Sequence, residues 1–439
     1  MFKTLKNAWR IPELKKKLLF TLLIVVLYRL GANIPVPYVD PAVFQSANAV
    51  AGGTILTFLN MLSGEALGKA TLLALGVSPY ITASIVIQLL TIAIPVLERW
   101  SKDGENGRKK ITALTRLVTV VLALITSIGY AFYLNNSGFL VVEKPNFFHY
   151  MVIVLCYCAG AALVMWMAEK INDSGIGNGI SIILFANIIA GAYGMVQSLW
   201  YNIVPTSGEF SVLGLVLSII EVIVLVGMIM LIVWMSDAER RIPIQYAKRV
   251  VGRKMYGGQN TNLPIKVNMS GVMPIIFANS IVSIPATIVA FADSDYSSKA
   301  AQWISKWLGY NSWIYFGIFL VLLIAFAYFY VAISFNPVEV ANNIKNNGGA
   351  IPGIRSGRPT VEFIKRVLGR ITLVGALLVA FIACFPLAVN NVCTIFDFTG
   401  FSALAFGGSS MMIVVGVALE TTRDLEAQMS LRNYKGFLD

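Results

Sequence analysis

An all-α integral membrane protein of ten spans is the fold class this sequence predicts, on three observations. Of 439 residues, 57% are hydrophobic and 13% charged, and the mean hydropathy is +0.74; soluble chains carry charge on about a quarter of their residues. The apolar residues gather into runs of about 20, the length at which a helix crosses the hydrocarbon core. The charges collect between those runs, with the cations crowded into every second gap.

The runs lie near residues 18–34, 73–94, 113–134, 150–168, 179–200, 212–235, 271–292, 312–335, 371–390 and 402–421. The first reads as a retained span and not a cleaved leader. It continues through Arg29 to Asn33 and ends in Ile34-Pro35-Val36-Pro37, with no small-residue cleavage site after it. Counted by segment, 29 of the 34 Lys and Arg share the side of both termini, four (Lys69, Lys144, Lys299, Lys306) lie opposite, and Arg29 sits inside the first span. The positive-inside rule then makes both termini cytosolic. Five spans fall in residues 1–203 and five in 204–439, so the halves start from opposite sides and predict an inverted pair, although no repeat is visible in the sequence itself.

Between the first two runs, about residues 53–69 hold Gly53, Phe58, Asn60, Met61, Ser63 and Gly64: moderately apolar, too short to cross, and outside by the charge count. Non-spanning backbone at membrane depth is tolerated only inside protein or lining a cavity. A re-entrant or plugging helix is therefore expected, with an interfacial surface helix as the alternative. The segment shows few strong polar anchors, which predicts that it can be displaced and that removing Thr57 to Ala66 leaves the bundle folded.

Two cytosolic segments, about 236–270 and 336–370, are long and basic. In the first, Arg241 to Arg249 alternates over part of its length, and Gly257-Gly258-Gln259-Asn260 offers turn chemistry before Leu263, which predicts a hairpin. The second has the turn-rich core Gly348 to Pro359, followed by what reads as a short basic helix. Their clustered cations, Arg241, Lys248, Arg249, Arg355 and Arg358 among them, suit phosphates or an acidic partner surface. Topogenic charge lying on anionic lipid is the plainer reading.

Several chemistries are disfavoured. Cys156, Cys158, Cys384 and Cys393 lie in or at the ends of apolar runs without zinc-type spacing and read as reduced thiols. His149 is the one histidine, which leaves no Ser-His triad. Gly175, Gly177 and Gly179 look like a phosphate loop, but no Lys-Ser/Thr follows. Glu221 is the only acid well inside a span, thin equipment for an ion-coupled secondary solute transporter, the alternative class. No enzymatic activity and no cofactor are expected.

Several stretches together resemble the bacterial protein-translocation channel family SecY. They are Ile34-Pro35-Val36-Pro37, the run from Gly76-Val77-Ser78-Pro79-Tyr80 to Gln88-Leu89-Leu90, Gly175-Ile176-Gly177-Asn178-Gly179-Ile180-Ser181, Arg241 to Arg249, Pro352-Gly353-Ile354-Arg355, and the tail from Leu425-Glu426-Ala427-Gln428 to Tyr434-Lys435-Gly436. The likeness covers nearly the whole chain, in the same order. It implies two inverted five-helix halves around a central pore, closed from outside by a plug. By the same resemblance, Ile81, Ile85, Ile180, Leu184, Ile276 and Ile413 form the pore ring, and Leu184 stands where isoleucine is expected. Each pair, Ile81 with Ile85 and Ile180 with Leu184, is spaced i, i+4 and so shares a helix face, although such pairs alone read as core packing. Gln88 and Asn279 resemble polar contacts of a lateral gate between the second and seventh spans; packing amides are the alternative. The implied partners are the small membrane subunits SecE and SecG, the motor ATPase SecA, the ribosome through the basic loops, signal peptides and nascent polypeptides, and the lipid bilayer, with the chain in the bacterial plasma membrane.

Overall fold

The structure, a computed structural model, describes residues 2–40, 60, 63–142, 144–204, 212–246, 249–251, 254–256, 260–292, 298–309, 312–395 and 408–435. Gly53, Phe58, Met61 and Lys248 lie outside these residues, as do Gly257, Gly258 and Gln259.

A short amphipathic helix, α1 (Phe2–Arg10), precedes α2 (Pro12–Gly31). There follow α3 (Ser78–Ala93), α4 (Pro95–Lys102), α5 (Gly104–Asn136), α6 (Phe147–Ser174), α7 (Gly179–Ile203) and α8 (Val212–Asp237). After α8 come α9 (Met273–Ala292), α10 (Lys299–Leu308), α11 (Trp313–Ser334), α12 (Pro337–Asn346), α13 (Arg358–Ile395) and α14 (Gly408–Lys435). Every predicted run coincides with one of these helices, namely α2, α3, α5 to α9, α11, α13 and α14. Among the described residues, six helices are long and apolar enough to cross a membrane by length and composition alone, and α3 with α4 makes a seventh bent by 101°. The bend has a local cause. Pro95 cannot donate to the preceding turn, and Ile94 is extended (φ −107°, ψ 116°), so the chain leaves the bundle there. In α2 and α14 the helix outruns the apolar run into charged turns: Lys15 to Lys17 at one end, Arg423 to Glu426 at the other.

The second span starts at Ser78, five residues later than the apolar run suggests, because Gly76 takes φ +53° and Pro79 can stand only in a first turn. Residues 63–77 form turns packed inside the outer face. They are tied to the chain after α2, where the Leu72 N–H donates to the Ile34 oxygen (2.8 Å) and Pro35 bridges to Thr71. Gly160 of α6 makes room for this segment: a Cβ there would fall 1.9 Å from the Leu72 carbonyl oxygen.

One apolar cluster fills the bundle from α2 to α14. Large apolar side chains such as Leu22, Ile125, Val226, Val321 and Phe381 stand exposed on the outside, which suits a surface facing lipid. Glu221 faces inward and is fully buried, so it does not reach the outer interface. His149 caps α6: the Asn146 N–H donates to its Nδ1 at 3.1 Å.

In the first basic segment, β1 (Glu239–Tyr246) pairs antiparallel with β4 (Asn260–Lys266), as the hairpin reading expects. β2 (Arg249–Val251) and β3 (Lys254–Tyr256) pair antiparallel as a separate two-stranded sheet, Asn260 already belongs to β4, and the expected turn residues Gly257, Gly258 and Gln259 lie outside the described residues. β5 (Gly349–Ala350) of the second basic segment adds to the free edge of β1, giving the order β4-β1-β5. The expected short basic helix is instead the start of α13, because no breaker separates Arg370 from the span that follows.

Candidate functional site

Ile81 and Ile85 lie one turn apart on α3, Ile180 and Leu184 on α7, Ile276 on α9 and Ile413 on α14. All except Ile180 are at most 5% exposed, and all six join one apolar cluster, with half-buried Ile180 packed against it. Two helices of each half thus place these residues in the same apolar cluster. An aliphatic constriction resists wetting and binds no particular polar group.

The glycine-rich turn before Ile180 is built to aim α7. Gly177 takes φ +75°, its N–H donates to Asp424 Oδ2 (3.0 Å), the Gly179 N–H donates to Asn172 Oδ1 (2.7 Å), and Asn178 Oδ1 caps the Ile180 N–H (3.1 Å). These glycines serve a tight interhelix turn tied to α14.

Of the plug residues, Asn60, Ser63 and Gly64 are described, and they form a firmly held base. Asn60 Oδ1 accepts from the Gly68 N–H (2.6 Å), and Ser63 Oγ accepts from the Leu67 N–H (3.0 Å). The Tyr130 hydroxyl of α5 donates to the Leu67 oxygen (2.8 Å), and Arg29 of α2 donates to the Gly64 oxygen (3.3 Å) and to the Ala186 oxygen of α7. Ser63, Ala66, Leu67 and Ala70 are at most 5% exposed. The expectation of few polar anchors therefore fails for residues 60 and 63–70, because the anchors from Tyr130 and Arg29 end on backbone carbonyls, which a side-chain reading does not see.

Asn279 is buried on α9 and Gln88 half-buried on α3, and the two helices pack together. Along the same seam, with α5 as its third wall, a cavity of about 610 Å³ is lined by Ser78, Thr82, Thr126, Ser280, Ser283 and Thr287 among apolar side chains. These residues escaped the sequence reading, although Ser280, Ser283 and Thr287 recur at one-face spacing. The Thr82, Ser280, Ser283 and Thr287 hydroxyls donate to carbonyls of their own helix (2.7–3.0 Å). The seam is thus mildly polar without being stapled across.

Arg355 is exposed in the turn between β5 and α13. Its direction is set on both sides: Ile351 is buried, Gly353 takes φ +81°, and the Arg355 oxygen accepts from the Thr360 hydroxyl (2.9 Å). Among the described residues no carboxylate lies within ion-pair distance of its guanidinium. Arg241 pairs with Glu239 (2.6 Å) and Arg358 with Glu362 (3.3 Å), so those two cations are partly neutralised. Arg249 opens β2. At the root of the sheet, burial and then nearby Arg423 lower the Lys266 pKa, while Arg423 itself pairs with Asp237 (2.6 Å).

The SecY family model matches residues 71–422. The protein translocase subunit SecY of Streptomyces coelicolor is 43% identical over 454 residues, covering 100% of both chains. That of Halalkalibacterium halodurans is 39% identical over 442 residues, again covering 100% of both. Among solved structures, one described as "The structure of a protein conducting channel" superposes with a TM-score of 0.65 at 18% identity, over 94% of this chain and 92% of that one. Sec61 in the canine ribosome-channel complex superposes with a TM-score of 0.59 at 17% identity, over 94% and 92%. The fold they share is a multi-pass helical bundle whose ten helices form two inverted halves around a central pore. With end-to-end relatives and a family match that spans the collar, the seam and both basic loops, the chain belongs to the SecY family.

Proposed function

We propose that the chain is the protein-conducting channel subunit of a secretory translocase in the bacterial plasma membrane, with both termini cytosolic. Unfolded polypeptides cross through the collar of Ile81, Ile85, Ile180, Leu184, Ile276 and Ile413. Hydrophobic segments leave sideways through the seam between α3 and α9, near Gln88 and Asn279, into lipid. The segment at about 53–69 closes the outer side at rest.

The observation that carries this reading is the collar itself: six aliphatic side chains from four helices of both halves in one cluster. Greasy walls accept unrelated side chains as they pass, whereas polar ligands would select one cargo. The hydroxyls of the seam, bonded within their own helices, let α3 and α9 part without breaking cross-helix hydrogen bonds. Energy comes from outside the chain, supplied by SecA or by a translating ribosome docked on Arg241, Lys248, Arg249, Arg355 and Arg358, with SecE and SecG as membrane partners and signal peptides opening the seam.

The test is photocrosslinking of a stalled secretory chain to probes at positions 81, 184 and 413, with the lipid-facing position 226 as control. Crosslinks confined to the first three are expected. Equal yield at position 226 would show that the polypeptide does not travel through the collar.

A further inference from the structure

Of the 34 Lys and Arg, Arg29 is the one that lies deep within an apolar run, and its surroundings give it a specific task. Its guanidinium is half-buried and donates to two carbonyl oxygens on different elements, Gly64 beside the plug (3.3 Å) and Ala186 on α7. Gly64 takes φ +65°, and a Cβ there would lie 2.8 Å from Arg29 Nη1 and 2.9 Å from Asn187 Oδ1. The guanidinium thus lies flush on that glycine, where no other side chain fits. The neighbouring pair interlocks as well: the Asn187 amide donates to the Tyr28 hydroxyl (2.9 Å), and both residues are fully buried. Glu65, next in the chain, adds an attractive charge.

A planar cation with several fixed donors can serve two carbonyls at once, which a lysine ammonium at the same place cannot reproduce. Both α2 and α7 belong to the first half of the chain, so this contact ties the base of residues 60–70 to that half alone. We propose that Arg29 is the positioning residue that pins the base of the plug to the first half of the channel and so sets how tightly the channel is sealed at rest. The proposal rests on the channel reading above.

The experiment is resting ion conductance of the full translocase complex in planar bilayers, with and without residues 53–59. Arg29→Met is expected to raise conductance roughly tenfold, since a charge-assisted contact to each carbonyl is lost, with Arg29→Lys in between. Gly64→Ala, which keeps the guanidinium but displaces it, should leak in the same way. In the complex lacking residues 53–59, Arg29→Met should add almost nothing, because the element it positions is gone. A tight Arg29→Met, or a leak that adds in full to that of the shortened complex, would overturn the proposal by showing a general loosening of the wall. Should Arg29→Met fail to assemble, a tight Gly64→Ala overturns it alone. If removing residues 53–59 leaves conductance at the wild-type level, the plug reading itself falls and takes the proposal with it, an outcome distinct from a tight Arg29→Met beside a leaky shortened complex.

Discussion

Gln245 of β1 stands in register with Ala350 of β5, so the two basic loops, far apart in the chain, form one sheet. This places the Arg355 turn on the same surface as the hairpin and makes shape, besides charge, a variable that mutation can separate.

Arg355→Glu should lower translocation and partner affinity roughly tenfold or more while leaving the bundle intact, because an exposed, directed guanidinium pairs bidentately with carboxylate or phosphate. Arg355→Lys should fall between it and wild type, and reversal of Lys248 and Arg249 should act more mildly. Affinity measured over a salt series checks this. Wild-type behaviour of Arg355→Lys in both binding and transport would rule out a directed contact.

Ile351→Ala removes no charge, yet it should weaken docking. Ile351 is buried against Ile244 and Ile344 in the apolar cluster beneath the sheet, and truncating such a side chain costs about 2–5 kcal/mol locally. The turn that carries Arg355 loses its seat. Partner affinity and hydrogen exchange of residues 349–357 are the measurements; unchanged affinity would reduce the surface to its net charge.

Ile85→Asn and Ile413→Asn should each weaken the closed state, since a buried amide without a matching partner costs about 1–3 kcal/mol and invites water into the collar. Higher resting conductance and passage of substrates with defective signal sequences are the expected outcomes. Wild-type ion tightness together with wild-type signal stringency in both variants would place the collar elsewhere.

Tyr130→Phe should destabilise the purified protein by about 0.5–1.5 kcal/mol, because the buried Leu67 oxygen loses one of its two donors and keeps the Ala70 N–H at 3.1 Å, and should raise resting conductance by loosening the plug base. Thermal unfolding of the purified protein and bilayer recordings check the two effects. The same anchors limit which deletions the bundle tolerates. A cut confined to residues 53–59 should leave it folded, whereas the longer cut from Thr57 to Ala66 removes Ser63 and Gly64 and should lower the unfolding temperature.

The ten spans, the crowding of the cations into a few of the intervening segments, and the existence of a hairpin and a non-spanning segment were legible in the sequence, because each follows from a local quantity. Those quantities are the length of an apolar run, the count of Lys and Arg between runs, and the alternation from Arg241 to Arg249. The six residues proposed for the collar could be picked out only through their surrounding motifs, since an aliphatic pair spaced i, i+4 is written identically whether it lines a pore or fills a core. What only the tertiary structure decided are the contacts made by backbone groups and by residues distant in the chain. Gln245 meeting Ala350, Tyr130 donating to Leu67, Asp424 receiving the Gly177 N–H, and Arg29 resting on Gly64 leave no local trace. The physical reason is that a carbonyl or amide is present at nearly every position. Which one is met depends on how the helices pack, and here that packing turned a segment expected to be loosely held into one with an anchored base.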